Sequence, residues 1–395
     1  MPQLKELEHA MPVAPLKLIA LNSATSLGNS INRYLVDYRK NVNNSFKNDP
    51  AFQGYVSDNY LLHAECPRFG SGEAKGILRE SVRGTDLYIL VDITNHSITY
   101  NVNGFENCMS PDDHYQDLKR IIAACNGKAH RINVIMPFLY EGRQHKRSTR
   151  ESLDCAYALK ELAEMGVANF ITFDAHDPRL MNAVPLMSFD NVMPTYQVLK
   201  TLLHHMPELN FGKDDFIVIS PDEGAINRNM YYASVLGVDL GMFYKRRDYS
   251  RVVNGRNPIV AHEYLGNSVE GKDVFISDDI ISSGESMLDL AYELKKRKAR
   301  RIIAYATYPI FTNGLEKFDK AYEEGMIDYV FGTNLTYRTP ELLSRPWFSD
   351  VDVSKYIAYF IAALNHDVSI SAVIDPHEKI KALLAKYNFK GGDNI

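Results

Sequence analysis

Short apolar runs alternate along this chain with longer stretches in which apolar residues return every three or four positions. Leu16–Leu21, Leu87–Val91, Ile132–Met136, Asn169–Phe173, Phe216–Ile219, Val274–Ile276, Ile302–Tyr305 and Tyr329–Phe331 have the length and composition of strands. Between them, Tyr115–Cys125 brings Leu118, Ile121 and Ile122 onto one helical face, and Leu153–Met165 does the same with Leu153, Ala156, Leu159 and Leu162. Met287–Lys298 carries Leu288, Leu290, Ala291 and Leu294 ahead of a Lys/Arg-rich end that suits a helix C-terminus. This β-α-β alternation predicts an α/β protein whose mostly parallel sheets are flanked by helices.

The alternation runs twice. One block extends to about residue 200, and a second opens at Phe211-Gly212-Lys213-Asp214-Asp215 with a fresh strand. A chain of 395 residues has room for two cores. The expected division is 1–205, 206–375 and a helical extension, 376–395, in which Ile380, Leu383 and Leu384 share a face. Asn41–Asn59 is polar, with Pro50 and Gly54, and reads as a loop or insertion.

Composition narrows the classes. With 45% hydrophobic and 24% charged residues the chain has the make-up of a soluble globular protein. A net charge of −5 argues against broad binding to nucleic acid or anionic membrane. Cys66, Cys108, Cys125 and Cys155 form no C-x-x-C pair and read as free thiols of a reducing compartment. The first residues lack the apolar core of a signal peptide, and no run has the ~18 apolar residues of a membrane span. The expected location is cytoplasmic.

Chemistry concentrates in loops after strands, where open α/β sheets place their ligands. In Val274–Ser286 an apolar strand runs into Asp278 and Asp279, then Ser282-Ser283-Gly284-Glu285-Ser286, then a helix. Carboxylates there suit ribose hydroxyls and Mg²⁺, and the backbone N–H groups of a helix start suit a phosphate. A sugar phosphate needs both, although the pair alone reads equally well as a solvated turn. Ser220–Arg228, after Phe216–Ile219, offers Asp222, Gly224 and Arg228 for a Mg²⁺-pyrophosphate; alone it reads as a helix cap with a surface arginine. Asp174-Ala175-His176-Asp177 and the basic run Gly142–Arg147 are similarly ambiguous singly. Lys245-Arg246-Arg247 is a basic cluster that could close over a transition state carrying extra negative charge. His204-His205 has no strand-end context and reads as surface.

Taken in order, these segments resemble the ribose-phosphate pyrophosphokinases, over roughly residues 16–375. Arg68–Glu73 with Glu80–Gly84 is similar to the family's adenine-side loop, and Phe138–Gln144 to its aromatic–Arg–Gln segment. Asp174-Ala175-His176 is similar to its Asp-Leu-His metal site, Ser220–Arg228 to its Ser-Pro-Asp-x-Gly-Gly segment, and Val274–Ser286 to its ribose 5-phosphate loop. Lys245–Arg247 stands where the family's catalytic flexible loop begins.

The resemblance implies two phosphoribosyltransferase-like domains, the first serving ATP and the second ribose 5-phosphate. It implies Mg²⁺-dependent transfer of the diphosphoryl group of ATP to the C1 hydroxyl of ribose 5-phosphate, giving phosphoribosyl diphosphate and AMP. Phe69, Glu73, Arg143 and Gln144 would hold ATP; His176 and Asp222 would hold the metal. Asp278, Asp279, Ser282, Ser283, Gly284 and Ser286 would bind the sugar phosphate, and Lys245 and Arg247 would be catalytic. A homo-oligomer built from dimers, such as a hexamer, is implied as well.

The chain departs from the family at several points. Glu285 and Ala225 replace glycines, and Gly70-Ser71 stands where Asn-Asp is common. Glu285 brings an anion to a phosphate loop, so catalysis requires it to point away or be neutralised; at a positive φ it would also be strained. Two other readings stand beside the enzyme: a catalytically weakened paralogue that binds nucleotides and regulates a partner, and a nucleobase phosphoribosyltransferase.

Overall fold

The structure, a computed structural model, describes residues 7, 9–42, 47, 49, 54–247 and 259–387; at 245–247, 259–262 and 372 it describes the backbone alone. The chain forms two compact units. The first comprises Met1–Pro194 with Asn334–Tyr337 and Asp352–Asp375; the second comprises Thr195–Thr333, Arg338–Val351 and Pro376–Ile395.

In the first unit, strands β1 (Leu16–Ala20), β2 (Asp86–Leu90), β3 (Arg131–Ile135), β4 (Val167–Phe173) and β5 (Ser188–Val192) lie in that order, all parallel. Tyr60–Leu62 adds a short parallel pairing on the far side of β1, through the Leu18 N–H to the Tyr60 carbonyl and the Leu62 N–H to the Leu18 carbonyl. Helices α1 (Thr25–Asn41), α2 (Pro111–Cys125) and α3 (Asp154–Glu164) belong to this unit. Leu118, Ile121, Ile122, Leu159 and Leu162 reach its core, as the helical period predicts. Helix α2 starts a turn earlier than its apolar stripe because Ser110 and Asp113 form a capping box with Pro111 at the first position.

In the second unit, β6 (Phe216–Ser220), β7 (Asp239–Arg247), β8 (Ile259–Leu265), β9 (Asp273–Ile281), β10 (Arg301–Pro309), β11 (Tyr329–Thr333) and β12 (Phe348–Val351) form one sheet. Their spatial order is β8-β7-β6-β9-β10-β11-β12, and only β8 runs antiparallel to its neighbour. The order reverses between β6 and β9. Helices α4 (Thr195–His205), α5 (Ile226–Leu236), α6 (Glu285–Lys296) and α7 (Glu316–Glu323) belong here.

The division differs from the sequence reading in three places. Helix α4 belongs to the second unit, although its residues precede 206. Helix α8 (Ser354–Asn365) returns to the first unit and packs along α1. Polar bonds fix it there: Asn365 Nδ2 donates to Asp86 Oδ2 at 2.8 Å, and Arg131 donates to the Leu364 carbonyl at 2.8 Å. The tail helix α9 (His377–Lys386) is no separate extension, because it packs against α4 and α5 with Ile380 buried. Part of Asn41–Asn59 lies outside the described residues; within it, Tyr55 is buried, and its carbonyl accepts the Tyr60 hydroxyl at 2.7 Å.

Candidate active site

Open parallel sheets bind ligands at the carboxyl ends of the strands where the order reverses, because successive connections leave in opposite directions and open a crevice. In the second unit that point lies between β6 and β9. Their pairing ends at Ile219 opposite Ile276. Beyond it Ser277 has no strand partner on that side, and Asn229 of α5 takes over. Its Oδ1 accepts the Ser277 N–H at 3.2 Å, and its Nδ2 donates to the Ser277 carbonyl at 2.8 Å. Asn229 is fully buried, and it holds the backbone immediately before Asp278.

Strand β9 continues past Ile276, the end predicted from its apolar run, because β10 still pairs with it as far as Ile281 opposite Pro309. Asp278 and Asp279 are therefore strand residues, and the pleat sends their side chains to opposite faces. Asp278 is half-buried and Asp279 buried; the Asp279 N–H donates to Asp278 Oδ1 at 2.9 Å. Burial raises the Asp278 carboxyl well above the usual carboxylate range, and the Asp279 carboxylate adds to the rise. Arg228 Nη1, 3.6 Å from Asp278 Oδ1, offsets part of this, while Asp222 works the other way. Arg228 is no surface arginine; its side chain is 11% exposed. Asp222 Oδ1 accepts the N–H groups of Gly224 and Ala225 at 3.0 and 3.2 Å, so the residue shapes its own loop.

Past Ile281 the chain turns at Gly284, with φ 78°, and α6 begins at Glu285. Only glycine fits the turn, since a Cβ would stand 2.3 Å from Phe318 Cε2. The N-cap residue, Gly284, has no side chain to cap this helix start; Ser283 Oγ accepts the Glu285 N–H in a long 3.4 Å bond, and the next N–H groups suit water or an anion. Ser282 and Ser283 are half-buried and Ser286 is exposed around it. Glu285 is not at positive φ, so the strain considered from sequence does not arise. Its carboxylate bonds to Lys317 Nζ instead, and that bond holds its pKa below the usual value.

In the first unit, the loops after β3 and β4 meet. His145 Nε2 lies 3.4 Å from Asp177 Oδ2, and the His145 and His176 rings are 5.5 Å apart. Arg179 bonds Asp177 through Nε and Nη2, pulling the Asp177 carboxyl down to about 2. Arg143 is exposed, whereas the Gln144 amide donates to the Ser152 carbonyl at 2.9 Å and holds its own loop together. Phe69 is 52% exposed on a turn closed by its N–H to the Glu73 carbonyl at 2.7 Å; Glu73 accepts from Ser71 Oγ at 2.8 Å. Arg68 anchors this turn through two bonds to Asp117, at 2.8 and 3.1 Å. Among the described residues no bond joins this turn to Arg143 or Gln144.

The side chains of Lys245 and Arg247 lie outside the described residues, as do residues 248–258; their backbone ends β7. His204 and His205 are exposed, as the sequence implies. The signals that sequence reading missed are Asn229, Lys317 and the Asp177 partner of His145, a residue it placed only within the basic run Gly142–Arg147. Each is an unremarkable polar residue whose partner lies far along the chain or in another loop.

Comparison with known proteins decides the family. Residues 16–166 match the N-terminal domain of ribose phosphate pyrophosphokinase, and residues 191–335 match the phosphoribosyl transferase domain. The chain belongs to the ribose-phosphate pyrophosphokinase family. A ribose-phosphate pyrophosphokinase of Vibrio cholerae is 28% identical over 327 residues, covering 81% of this chain and 93% of that protein. One from Mycoplasma genitalium is 27% identical over 314 residues, covering 79% and 86%. The crystal structure of phosphoribosylpyrophosphate synthetase from Mycobacterium smegmatis shares the fold, with TM-score 0.68 and 20% identity over 89% of this chain and 99% of that one. Both units are thus phosphoribosyltransferase-like α/β domains.

Among the described residues no group of three His, Cys, Asp or Glu side chains is placed to hold a metal ion. The oxygen donors around Asp278 nevertheless suit Mg²⁺, which binds through one or two carboxylates plus substrate oxygens. No helix among the described residues is long and apolar enough to cross a membrane.

Proposed function

We propose that the two units divide the work of one diphosphoryl transfer, the first holding ATP and the second ribose 5-phosphate. The chain is a transferase of nucleotide biosynthesis that makes 5-phosphoribosyl 1-diphosphate. A bond forms between the C1 oxygen of ribose 5-phosphate and the β-phosphorus of ATP. The bond from that phosphorus to the oxygen of AMP breaks, so AMP leaves.

The observation that carries this reading is the joint presence of Asp278, Asp279 and a glycine-opened helix start at one switch point. Asp278 and Asp279 grip the ribose hydroxyls by accepting their O–H donors. Ser282, Ser283, Gly284 and Ser286 take the 5-phosphate on backbone and hydroxyl donors. Phe69 stacks on the adenine, with Glu73, Arg143 and Gln144 around the nucleotide. His176 in the first unit and Asp222 in the second would each offer a ligand to Mg²⁺, which when bound would neutralise charge developing on the phosphates. Lys245 and Arg247 stabilise the transferring group, and losing one such cation lowers turnover on the order of 10²-fold. The enzyme works in the cytoplasm as a homo-oligomer built from dimers.

The test is direct. Purified protein with ATP, ribose 5-phosphate and Mg²⁺ should release AMP and phosphoribosyl diphosphate in equal amounts, and none with EDTA. GTP in place of ATP tests the nucleotide choice. Nucleobase with phosphoribosyl diphosphate should give no nucleotide, and turnover there instead would favour a phosphoribosyltransferase. Nucleotide binding without any AMP release would favour the regulatory paralogue.

A further inference from the structure

We propose that Lys317 is a specificity-determining residue for the phosphorylated sugar, neutralising Glu285 so that the start of α6 can accept a phosphate. The inference rests on reading that helix start as the 5-phosphate site.

A carboxylate at the first position of a helix is attracted by the same positive helix end that would draw a phosphate. Glu285 is therefore an intramolecular competitor for its own ligand site. Its carboxylate bonds to Lys317 Nζ of α7, 32 residues along the chain. Three further contacts hold Lys317 at this loop. Phe318, the next residue, is buried in a cluster with Phe311 and Trp347 and occupies the space a Gly284 side chain would need. The Phe311 N–H donates to the Ile281 carbonyl at 3.1 Å, and the Thr312 N–H to the Ser282 carbonyl at 2.9 Å. The segment that carries Lys317 is thus also the brace of the phosphate loop. Each member of the pair is 56% exposed, so an incoming phosphate can reach both, and rearranging an exposed pair costs little.

The charges make the proposal testable. In the native protein the pair sums to zero beside the phosphate. Lys317→Met leaves a lone carboxylate, Glu285→Gln leaves a lone ammonium, and the double variant is neutral again. Lys317→Met should raise the KM for ribose 5-phosphate about tenfold, with kcat and the KM for ATP within about twofold of native. Glu285→Gln should lower that KM a few-fold, and the double variant should return to within about twofold of native. Lys317→Arg should retain native behaviour, and added salt should shrink the Lys317→Met effect. A purely structural role would lower kcat and stability together and would not be reversed by the second substitution.

Calorimetric titration with ribose 5-phosphate, and with ribose as control, reads the same effect without turnover. Lys317→Met should weaken the phosphorylated sugar alone. Equal affinities for native and Lys317→Met protein, or a double variant as weak as Lys317→Met, overturn the proposal. If native protein binds ribose 5-phosphate yet releases no AMP, the titration still decides the role of Lys317 while the diphosphokinase reading fails. If it does not bind the sugar phosphate at all, both fail.

Discussion

The two units carry the same kind of sheet, and each has a crevice where strands diverge, but the two crevices are filled in opposite ways. In the first unit the divergence lies between β1 and β2, since Tyr60–Leu62 pairs on the outer side of β1. There Ser23 Oγ accepts the Asp92 N–H at 3.2 Å, and Asn95 Nδ2 donates to the Ser23 carbonyl at 2.8 Å. The Asp92 carboxylate accepts Thr94 N–H, Thr94 Oγ1 and the Tyr337 N–H, at 2.9, 2.7 and 2.6 Å. His114 bonds the Asn95 carbonyl at 2.8 Å, and a small half-open pocket lined by Ser23, His114 and Asp117 lies beside it. In the second unit, burial and then the Asp279 carboxylate raise the Asp278 carboxyl, and the helix beside it opens on a glycine that offers no side-chain cap. Burial raises both carboxyls, but Asp92 is met by three hydrogen-bond donors, whereas Asp278 faces the like charge of Asp279 with Arg228 as its nearby cation. The same topology therefore closes one crevice and leaves the other ready for chemistry.

The sharpest way to break this contrast is at Asp278. Asp278→Asn should reduce AMP release by 10²-fold or more, while the melting temperature holds or rises because a crowded charge is gone. Asp279→Asn should lower turnover similarly with little loss of fold, and unchanged AMP release in either variant would contradict the assignment. Next is Gly284→Ala. It adds a side chain at φ 78° against Phe318 and should cost about 1–3 kcal/mol in chemical denaturation, with a raised KM for ribose 5-phosphate. In the other crevice, Ser23→Ala should cost about 1 kcal/mol and leave kcat unchanged. A large fall in kcat there would mean that the first crevice also takes part in the reaction.

The smallest effect is in the pH dependence of stability, where Asp278 and Asp177 should act with opposite sign. Asp177 has its folded-state pKa lowered from 3.8 to about 2, so its contribution is present above 3.8 and lost as pH falls toward 2. Asp278 has a raised folded-state pKa, so ionising it costs stability, and the cost fades as pH falls toward 3.8. Urea midpoints for native protein, Asp177→Asn and Asp278→Asn across acid pH should show the two slopes. Mg²⁺ with ribose 5-phosphate should flatten the Asp278 contribution at neutral pH.

Legibility along the chain was uneven for physical reasons. All eight apolar runs named from the sequence are strands, because a strand covered on both faces must be apolar along its length. The edge strands β5, β8 and β12 passed unnoticed, as did the inner strand β7; β5 carries Ser188, Asp190 and Asn191 among its five residues, where exposure permits polar side chains. The polar half of β9 was hidden for a related reason, since its strand character comes from pairing with β10 rather than from side chains. At the site, the motifs identified the loops. What each polar atom bonds to, such as Asp222 holding its own turn or Gln144 stapling its own loop, does not follow from spacing.

Sequence alone determined the fold class, the family and the positions of the loops that bear chemistry. Those depend on apolar period and on local runs of a few residues, both of which are written along the chain. Only the tertiary structure decided that 352–375 completes the first unit, that Asn229 clamps the strand before Asp278, and that Lys317 neutralises Glu285. Each of these joins residues tens to hundreds of positions apart, where the partner is chosen by packing and no local pattern records it.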